Sequence, residues 1–145
     1  RALRVDKTCL MLLERTLAMF RNPELLRREH PTYQMIGASL EVLQTRAKAF
    51  VQTVAGVAPQ AQTAIRDSVA YLGSGSLPTE ALPSVMVTVA LPGIKAGELA
   101  RRLRQDEACV FGRIEDQTLC LDVRTVRDDQ VATIAEAVGR TARGA

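Results

Sequence analysis

The sequence has few of the residues that bind metals, act as nucleophiles or fill an aromatic core. Of its 145 residues only 3% are aromatic, none is tryptophan, and the single histidine is His30. The three cysteines, Cys9, Cys109 and Cys120, form neither an even-numbered disulfide framework nor a C-x-x-C motif. Because a zinc site needs about four convergent ligands, we expect no metal site in this chain.

Long hydrophobic runs and a secretory leader are also missing. No apolar run approaches the roughly 20 residues that a membrane-spanning helix requires, so we expect a soluble protein without membrane contacts. The unpaired cysteines suit the reducing cytoplasm. The sequence starts at Arg1 without an initiator methionine, and we expect a piece of a longer polypeptide. The net charge of +3 is compatible with an RNA or phosphate partner but is too small to indicate one.

The first third of the chain has the apolar spacing of helices. One helix is predicted from Val5 to about Phe20, with a continuous buried stripe made of Cys9, Leu12, Leu13, Leu17 and Phe20. Asn22-Pro23 ends it, and a short helical connector follows. A second, unbroken helix is predicted from Pro31 to about Ala55, with Gly56 as its terminator. Its predicted apolar face consists of Ile36, Leu40, Leu43, Ala47, Phe50 and Val54.

The rest of the chain alternates strands with helices. Strands are predicted over 63–72, 84–91, 109–114 and 118–123, and helices over 95–104 and 128–138, with a frayed tail from Gly139. The first of these helices should bury Ala96, Leu99, Ala100 and Leu103, and the second Val131, Ile134, Ala135 and Val138. The strand over 84–91 is apolar on both faces and should be central. We therefore predict an α+β fold, a mostly antiparallel sheet of about four strands covered by helices on one face. Residues 1–56 would be a helical connecting region, and residues 60–145 the α+β part.

Several residues could carry chemistry, but most fit simpler roles. Cys9 and Cys120 are predicted to be small buried hydrophobes, and His30 to lie at the surface or to cap a helix. The loop Gly73–Pro78, which contains Ser74 and Ser76, could cradle a phosphate, but it lacks the spacing of a P-loop and fits a flexible turn better. A cluster made of Arg101, Arg102 and Arg104 fits a solvated surface, although phosphate contacts remain open.

The arginine pair at the start of the chain is a stronger candidate. Arg1 and Arg4 are three residues apart, so on a helical turn both guanidinium groups would lie on the same side. Two such groups could hold a tetrahedral oxyanion through forked, charge-assisted hydrogen bonds. The spacing alone fits plain surface arginines as well.

Five sequence blocks, taken together, resemble a known family. They are Arg1-Ala2-Leu3-Arg4-Val5-Asp6-Lys7, Gly73-Ser74-Gly75-Ser76-Leu77-Pro78, Leu82-Pro83-Ser84, Gly112-Arg113-Ile114-Glu115-Asp116, and Leu119 with Leu121-Asp122-Val123-Arg124-Thr125-Val126. In this order they are similar to the C-terminal part of bacterial selenocysteine synthases, the L-seryl-tRNA(Sec) selenium transferases. The resemblance covers nearly the whole chain.

The resemblance implies the small C-terminal domain of a type I pyridoxal-phosphate enzyme. The large domain, which supplies the cofactor lysine, and the N-terminal tRNA-binding region would both be absent, and Lys7 does not match that lysine. The implied reaction converts seryl-tRNA(Sec) to selenocysteinyl-tRNA(Sec) through an aminoacrylyl intermediate, with selenophosphate as the selenium donor. The implied assembly is a homo-oligomer, a ring of dimers.

The same resemblance assigns roles within the chain. Arg1 and Arg4 match the family segment whose arginines are associated with the selenium donor. No catalytic or cofactor-binding residue is expected here, so the fragment alone should be inactive, and the exposed faces of its first two helices should contact the large domain. Two alternatives remain open: a related pyridoxal-phosphate lyase acting on a small amino acid or amino sugar, and a freestanding RNA or protein interaction module.

Overall fold

The computed structural model describes residues 5–73 and 77–144. The described residues form two compact units: the first ends at Ala38 and the second begins at Ser39. The boundary therefore comes before the helix that leads into the sheet, rather than near residue 56. Of the Gly73–Pro78 loop, the centre with Ser74 and Ser76 lies outside the described residues.

Three helices make up the first unit: α1 (Lys7–Met19), α2 (Pro23–Glu29) and α3 (Pro31–Gly37). Asn22 caps α2, since its side-chain oxygen accepts hydrogen bonds from the backbone N–H groups of Glu24 and Leu25, both at 3.1 Å. The predicted break at Asn22-Pro23 is therefore confirmed.

The predicted burial of α1 is wrong. None of its residues is buried, and its large apolar side chains, together with the exposed Cys9, meet solvent. In the whole first unit, Leu26 is the one buried apolar side chain among the described residues. The helix forms where its pattern predicts, but the other described residues of the first unit do not cover its apolar side chains.

The predicted second helix is two helices. After α3 the backbone becomes extended at Ala38 and Ser39, and α4 runs from Leu40 to Val57. Ser39 caps α4, since its hydroxyl accepts a hydrogen bond from the backbone N–H of Val42 at 3.3 Å. The helix continues through Gly56, which is not its terminator. Of the predicted apolar face, Leu43, Ala47, Phe50 and Val54 are confirmed as buried, whereas Leu40 is 44% exposed and Ile36, in α3, is only half-buried.

A four-stranded antiparallel sheet forms the centre of the second unit. Its strands are β1 (Gln62–Leu72), β2 (Leu77–Ala90), β3 (Arg113–Glu115) and β4 (Thr118–Asp122), in the spatial order β1-β2-β4-β3. The predicted central position of β2 is confirmed, since it pairs with β1 on one side and β4 on the other. The α+β class and the antiparallel sheet are also confirmed.

One face of the sheet packs against a layer of helices. This layer consists of α4, α5 (Ala96–Gln105) and α6 (Val131–Arg143), with α6 in contact with both other helices. The side chains of β2 and β4 beneath it are almost fully buried: Val85, Val87, Val89, Leu119 and Leu121. Gly139 permits the close contact of α6 with α4, because a Cβ there would lie 3.1 Å from the carbonyl oxygen of Val57.

The loop before β3 replaces most of a predicted strand. Cys109 has a φ of 49°, in the left-handed region, which interrupts the extended run expected over 109–114. The loop is held by hydrogen bonds from the N–H of Cys109 to the carbonyl of Asp106 and from Val110 to Leu103. The strand therefore starts only at Arg113. By contrast, α5 buries the four expected residues, Ala96, Leu99, Ala100 and Leu103.

The last helix also differs from its prediction at both ends. Asp128 to Gln130 form a 3-10 turn before α6, so the two aspartates do not lie in its first turn. Asp128 instead pairs with Arg46 of α4 at 2.5 Å. The tail from Gly139 is helical up to Arg143 rather than frayed, and of the expected core positions Ile134 is only half-buried.

Candidate functional site

The proposed anion site at the start of the chain is only partly described. Arg1 and Arg4 lie outside the described residues. Asp6 caps α1: its Oδ1 accepts a hydrogen bond from the backbone N–H of Cys9 at 2.9 Å, and this bond lowers the pKa of the carboxyl. Lys7 is the first residue of α1, three residues after the second arginine of the family-like block.

Two other family-like blocks meet at the end of β4. Asp122 Oδ1 accepts a hydrogen bond from the hydroxyl of Ser84 on β2 at 2.6 Å and another from the backbone N–H of Arg124 at 3.0 Å. The guanidinium of Arg124 in turn donates from Nη2 to the carbonyl oxygen of Pro83 at 2.5 Å. A closed set of hydrogen bonds thus joins residues 83–84 to residues 122–124.

Two residues of this cluster are buried, so their polar groups need hydrogen-bond partners within the protein. Ser84 is 2% exposed and Arg124 is 6% exposed. Buried polar groups of this kind are tolerated when they are hydrogen-bonded, and here the Ser84 hydroxyl and Arg124 Nη2 both have acceptors. The Ser84–Asp122–Arg124 cluster is therefore a preorganised polar element within an otherwise apolar core. Sequence reasoning quoted these residues as family blocks but did not identify their contact, because 38 residues separate Ser84 from Asp122.

A third block adds an arginine to the sheet face opposite the helices. Gly112 lies so close to β4 that a Cβ there would be 2.8 Å from Leu119 Cδ1 and 2.9 Å from the carbonyl oxygen of Cys120. Next to it, Arg113 donates to the hydroxyl of Ser68 at 2.9 Å and pairs with Glu115 at 2.8 Å. Hydroxyls, carboxylates and arginines on one sheet face suit recognition of a polar or charged surface.

The three cysteines differ in their exposure to solvent. The predicted burial of Cys120 is confirmed, and desolvation raises the pKa of its thiol, which disfavours the thiolate that a nucleophile needs. The prediction for Cys9 is wrong, since this residue is exposed on α1, and Cys109 is exposed in its loop.

The side chain of His30 packs against aromatic rings and does not cap α3. It occupies the N-cap position of α3 but makes no side-chain capping hydrogen bond. Its half-buried ring instead contacts Phe20 and Tyr33 edge-on, with ring centroids 6.2 and 5.3 Å apart.

Two of the three clustered arginines on α5, Arg101 and Arg102, form hydrogen bonds within the chain. Glu98 accepts hydrogen bonds from Arg101 and Arg102, which together lower the pKa of its carboxyl to about 2. Arg102 also donates to the carbonyl oxygen of Gly144 at 3.1 Å. These contacts favour a structural surface role, and Arg104 is exposed beside them.

The described residues do not fit a pyridoxal-phosphate site. The aldimine linkage needs a lysine within a pocket, and the three lysines of the chain, Lys7, Lys48 and Lys95, are all exposed. The described cavities range from about 260 to 670 Å³, and no lysine lines them. In the same part of the chain, no three metal-ligand side chains gather at one place, and no helix combines the length and apolar character that a bilayer crossing needs.

The chain matches a known protein family. The model of the L-seryl-tRNA selenium transferase family matches residues 1–127. The L-seryl-tRNA(Sec) selenium transferase of Geobacter metallireducens is 36% identical over 98% of this chain, and that of Desulfomicrobium baculatum is 37% identical over 95%. A third relative with this name, from Moorella thermoacetica, is 34% identical over the whole chain.

The relatives are much longer than this chain. It spans 31% of the Geobacter metallireducens and Moorella thermoacetica proteins and 30% of the Desulfomicrobium baculatum protein. The matched region nevertheless includes all five sequence blocks, among them the residues that meet around Asp122. The chain therefore belongs to the L-seryl-tRNA selenium transferase family.

Proposed function

We propose that the chain is the C-terminal small domain region of an enzyme that converts seryl-tRNA(Sec) to selenocysteinyl-tRNA(Sec), with selenophosphate as the selenium donor. The observation that carries this proposal is the family match over residues 1–127. The polar cluster around Asp122 supports it, because the hydrogen bonds join blocks that also carry the resemblance. The chain would contribute binding and positioning rather than a nucleophile, since Cys120 is buried and its thiol pKa is raised.

Pyridoxal phosphate would be held by polypeptide outside residues 1–145. This part of the proposal is supported by the exposed positions of Lys7, Lys48 and Lys95 and by the absence of lysine from the described cavities. The type I fold, the cytoplasmic location and assembly as a ring of dimers are further parts of the same proposal. Sedimentation of the full-length protein tests the assembly.

Activity of the full-length protein tests the reaction. Purified enzyme, seryl-tRNA(Sec) and selenophosphate should give selenocysteinyl-tRNA(Sec), identified by mass spectrometry of the deacylated amino acid. The 145-residue chain should give none under the same conditions. If the full-length protein instead releases ammonia from a small free amino acid and leaves seryl-tRNA unchanged, it is a lyase and the proposal is wrong.

Within this function, Arg1 and Arg4 would form the anion clamp for selenophosphate. The donor carries several negative charges, and forked guanidinium groups match two oxygens of such an anion better than an ammonium group does. The cap at Asp6 supports this role, because it starts α1 at Lys7, three residues after Arg4 in the sequence, and anions are favoured near a helix N-terminus.

Replacing either arginine in the full-length enzyme should slow selenium addition. For Arg1→Ala or Arg4→Ala we expect a loss of roughly 30 to 1,000-fold, about 2–4 kcal/mol, because a charge-assisted hydrogen bond to the donor is removed. Arginine-to-lysine variants should recover part of the rate. The assay varies selenophosphate at saturating seryl-tRNA, with Arg104→Ala, an exposed arginine on α5, as the control. Near-normal turnover by the double alanine variant would eliminate the clamp.

A further inference from the structure

Helix α1 exposes apolar side chains on more than one side, beside the charged residues Lys7, Glu14 and Arg15. Its large apolar side chains have relative exposures between 47% and 68%: Leu10, Met11, Leu12, Leu13, Leu17 and, just after the helix, Phe20. With about 100° of rotation per residue, Met11 and Leu12 lie about 100° and 200° around the axis from Leu10. The apolar surface is therefore not a single stripe that one neighbouring element could cover.

A helix with this pattern needs neighbours that cover it. A surface helix carries one apolar face, whereas the apolar side chains of α1 spread over more than one side and none of its residues is buried. The first unit cannot provide that burial, because Leu26 is its one buried apolar side chain among the described residues. A groove of about 400 Å³ along α1 shows where neighbouring side chains would fit; it is lined by Leu10, Leu13, Glu14, Leu17, Ala18 and Arg21.

Helix α4 differs from α1 in how much of its apolar surface is covered. The apolar side chains Leu43, Ala47, Phe50 and Val54 are buried within the second unit. The exposed positions of α4 include Glu41, Gln44, Thr45, Lys48 and Gln52, together with Leu40 and Val42, which are 44% and 46% exposed. The central apolar side chains of α4 are thus covered within the second unit, whereas no residue of α1 is buried, so the expectation of contact with another domain is strongest for the first unit.

The length of the family proteins identifies the partner. This chain spans 30–31% of its relatives, so more than twice its own length of polypeptide lies outside it in each of them. We infer that α1 is a core helix of a second folded domain, built mainly by that additional polypeptide, and that the self-contained domain within this chain begins at Ser39. The inference rests on the family membership within the proposed function and not on the proposed reaction.

Native cysteines provide the test, because Cys9 lies on α1 and is exposed in this chain. Alkylation by N-ethylmaleimide is followed by peptide mass spectrometry in native buffer and in urea, for the 145-residue chain and for the full-length protein. In the short chain Cys9 should react within a few-fold of its rate in urea. In the full-length protein its native rate should fall by about 100-fold or more, while buried Cys120 is protected in both.

Three outcomes decide the inference. Protection of Cys9 only in the full-length protein supports it. Fast reaction of Cys9 in the full-length protein overturns it, and if that protein still makes selenocysteinyl-tRNA, the proposed function is unaffected. Protection of Cys9 in the short chain that increases with concentration, together with dimers in light scattering, would mean that a second copy covers α1, which also overturns it.

A pair of variants gives an independent readout. In the full-length protein, Leu13→Asp should lower the melting temperature or the soluble yield sharply, because it places a charge in a core. In the short chain the same variant should change stability little, since Leu13 is 53% exposed there. The control is Lys48→Asp on the polar side of α4, which should be tolerated in both proteins. Equal tolerance of Leu13→Asp in the full-length protein would contradict the inference.

Discussion

The two units of this chain use similar helices in opposite situations. In the unit that begins at Ser39, apolar side chains from α4, α5, α6 and the sheet bury one another, and this unit contains every buried apolar side chain described except Leu26. In the unit that ends at Ala38, α1 exposes side chains of the same type. Helical periodicity thus predicts that a helix forms, but burial depends on whether another surface is present.

The sequences of α1 and α4 give little sign of this difference. On α4 the apolar residues at 43, 47, 50 and 54 recur at helical spacing, and polar residues occupy half of the other positions. Leu10 and Met11 lie outside the stripe of α1 that runs through Leu13 and Leu17, and Leu40 and Val42 likewise lie outside the stripe of α4. Local apolar spacing therefore did not distinguish the helix that has neighbours from the helix that lacks them.

If interactions within the second unit stabilise it, replacing Asp122 should lower its free energy of unfolding substantially. We expect Asp122→Ala to lower the free energy of unfolding by about 2–3 kcal/mol, because the hydroxyl of Ser84 and the backbone N–H of Arg124 lose their acceptor in a buried place. Urea denaturation of the 145-residue chain measures this change. The control is Asp67→Ala on the exposed strand β1, which should stay within about 0.5 kcal/mol. Equal effects of the two variants would show that the cluster does not stabilise the unit.

A smaller, pH-dependent contribution comes from the ion pair between Asp106 and Arg140. Hydrogen bonds from Arg140, and from the backbone N–H of Ala108, hold the pKa of Asp106 at about 2, below its ordinary value of 3.8. Because the folded state lowers this pKa, the stabilisation is complete above about pH 4 and is lost as the pH falls toward 2. Its size is about 1 kcal/mol, since the Arg140 side chain is 33% exposed and solvent screens the pair.

The variant Asp106→Asn separates this contribution from general acid destabilisation. Its free energy of unfolding should lie below that of the unmodified chain at about pH 5, and the gap should close as the pH falls to about 2.5. Asp67→Asn should show no such convergence. A gap that stays constant over this range would mean that protonation of Asp106 is not linked to folding.

The sequence predicted the fold class because its strongest local patterns coincide with the tertiary core. The alternation in 84–91 correctly predicted a central strand, and the spacing of Leu99 and Leu103 correctly predicted the buried side of α5. The prediction failed where tertiary contacts override local pattern. Cys109 adopts a left-handed conformation within an apolar stretch, and Ser39 caps a new helix within an apparently continuous one.

Less of the candidate site than of the fold could be predicted from the sequence. The block resemblance identified the family and singled out Ser84, Asp122 and Arg124 as parts of family segments. Their mutual hydrogen bonds depend on the pairing of β2 with β4, which no local pattern specifies. The roles of Arg1 and Arg4 stay predictions from the resemblance, because both residues lie outside the described part of the chain.

The most direct test of the contrast between the two units is one substitution made in two helices. Leu43 on α4 is fully buried and Leu13 on α1 is 53% exposed, so Leu43→Ala and Leu13→Ala remove the same atoms from opposite environments. Urea denaturation of the 145-residue chain should show a loss of about 3–4 kcal/mol for Leu43→Ala and of less than about 0.5 kcal/mol for Leu13→Ala. A loss for Leu13→Ala as large as that for Leu43→Ala would show that α1 is already part of a core in this chain, which would contradict the account.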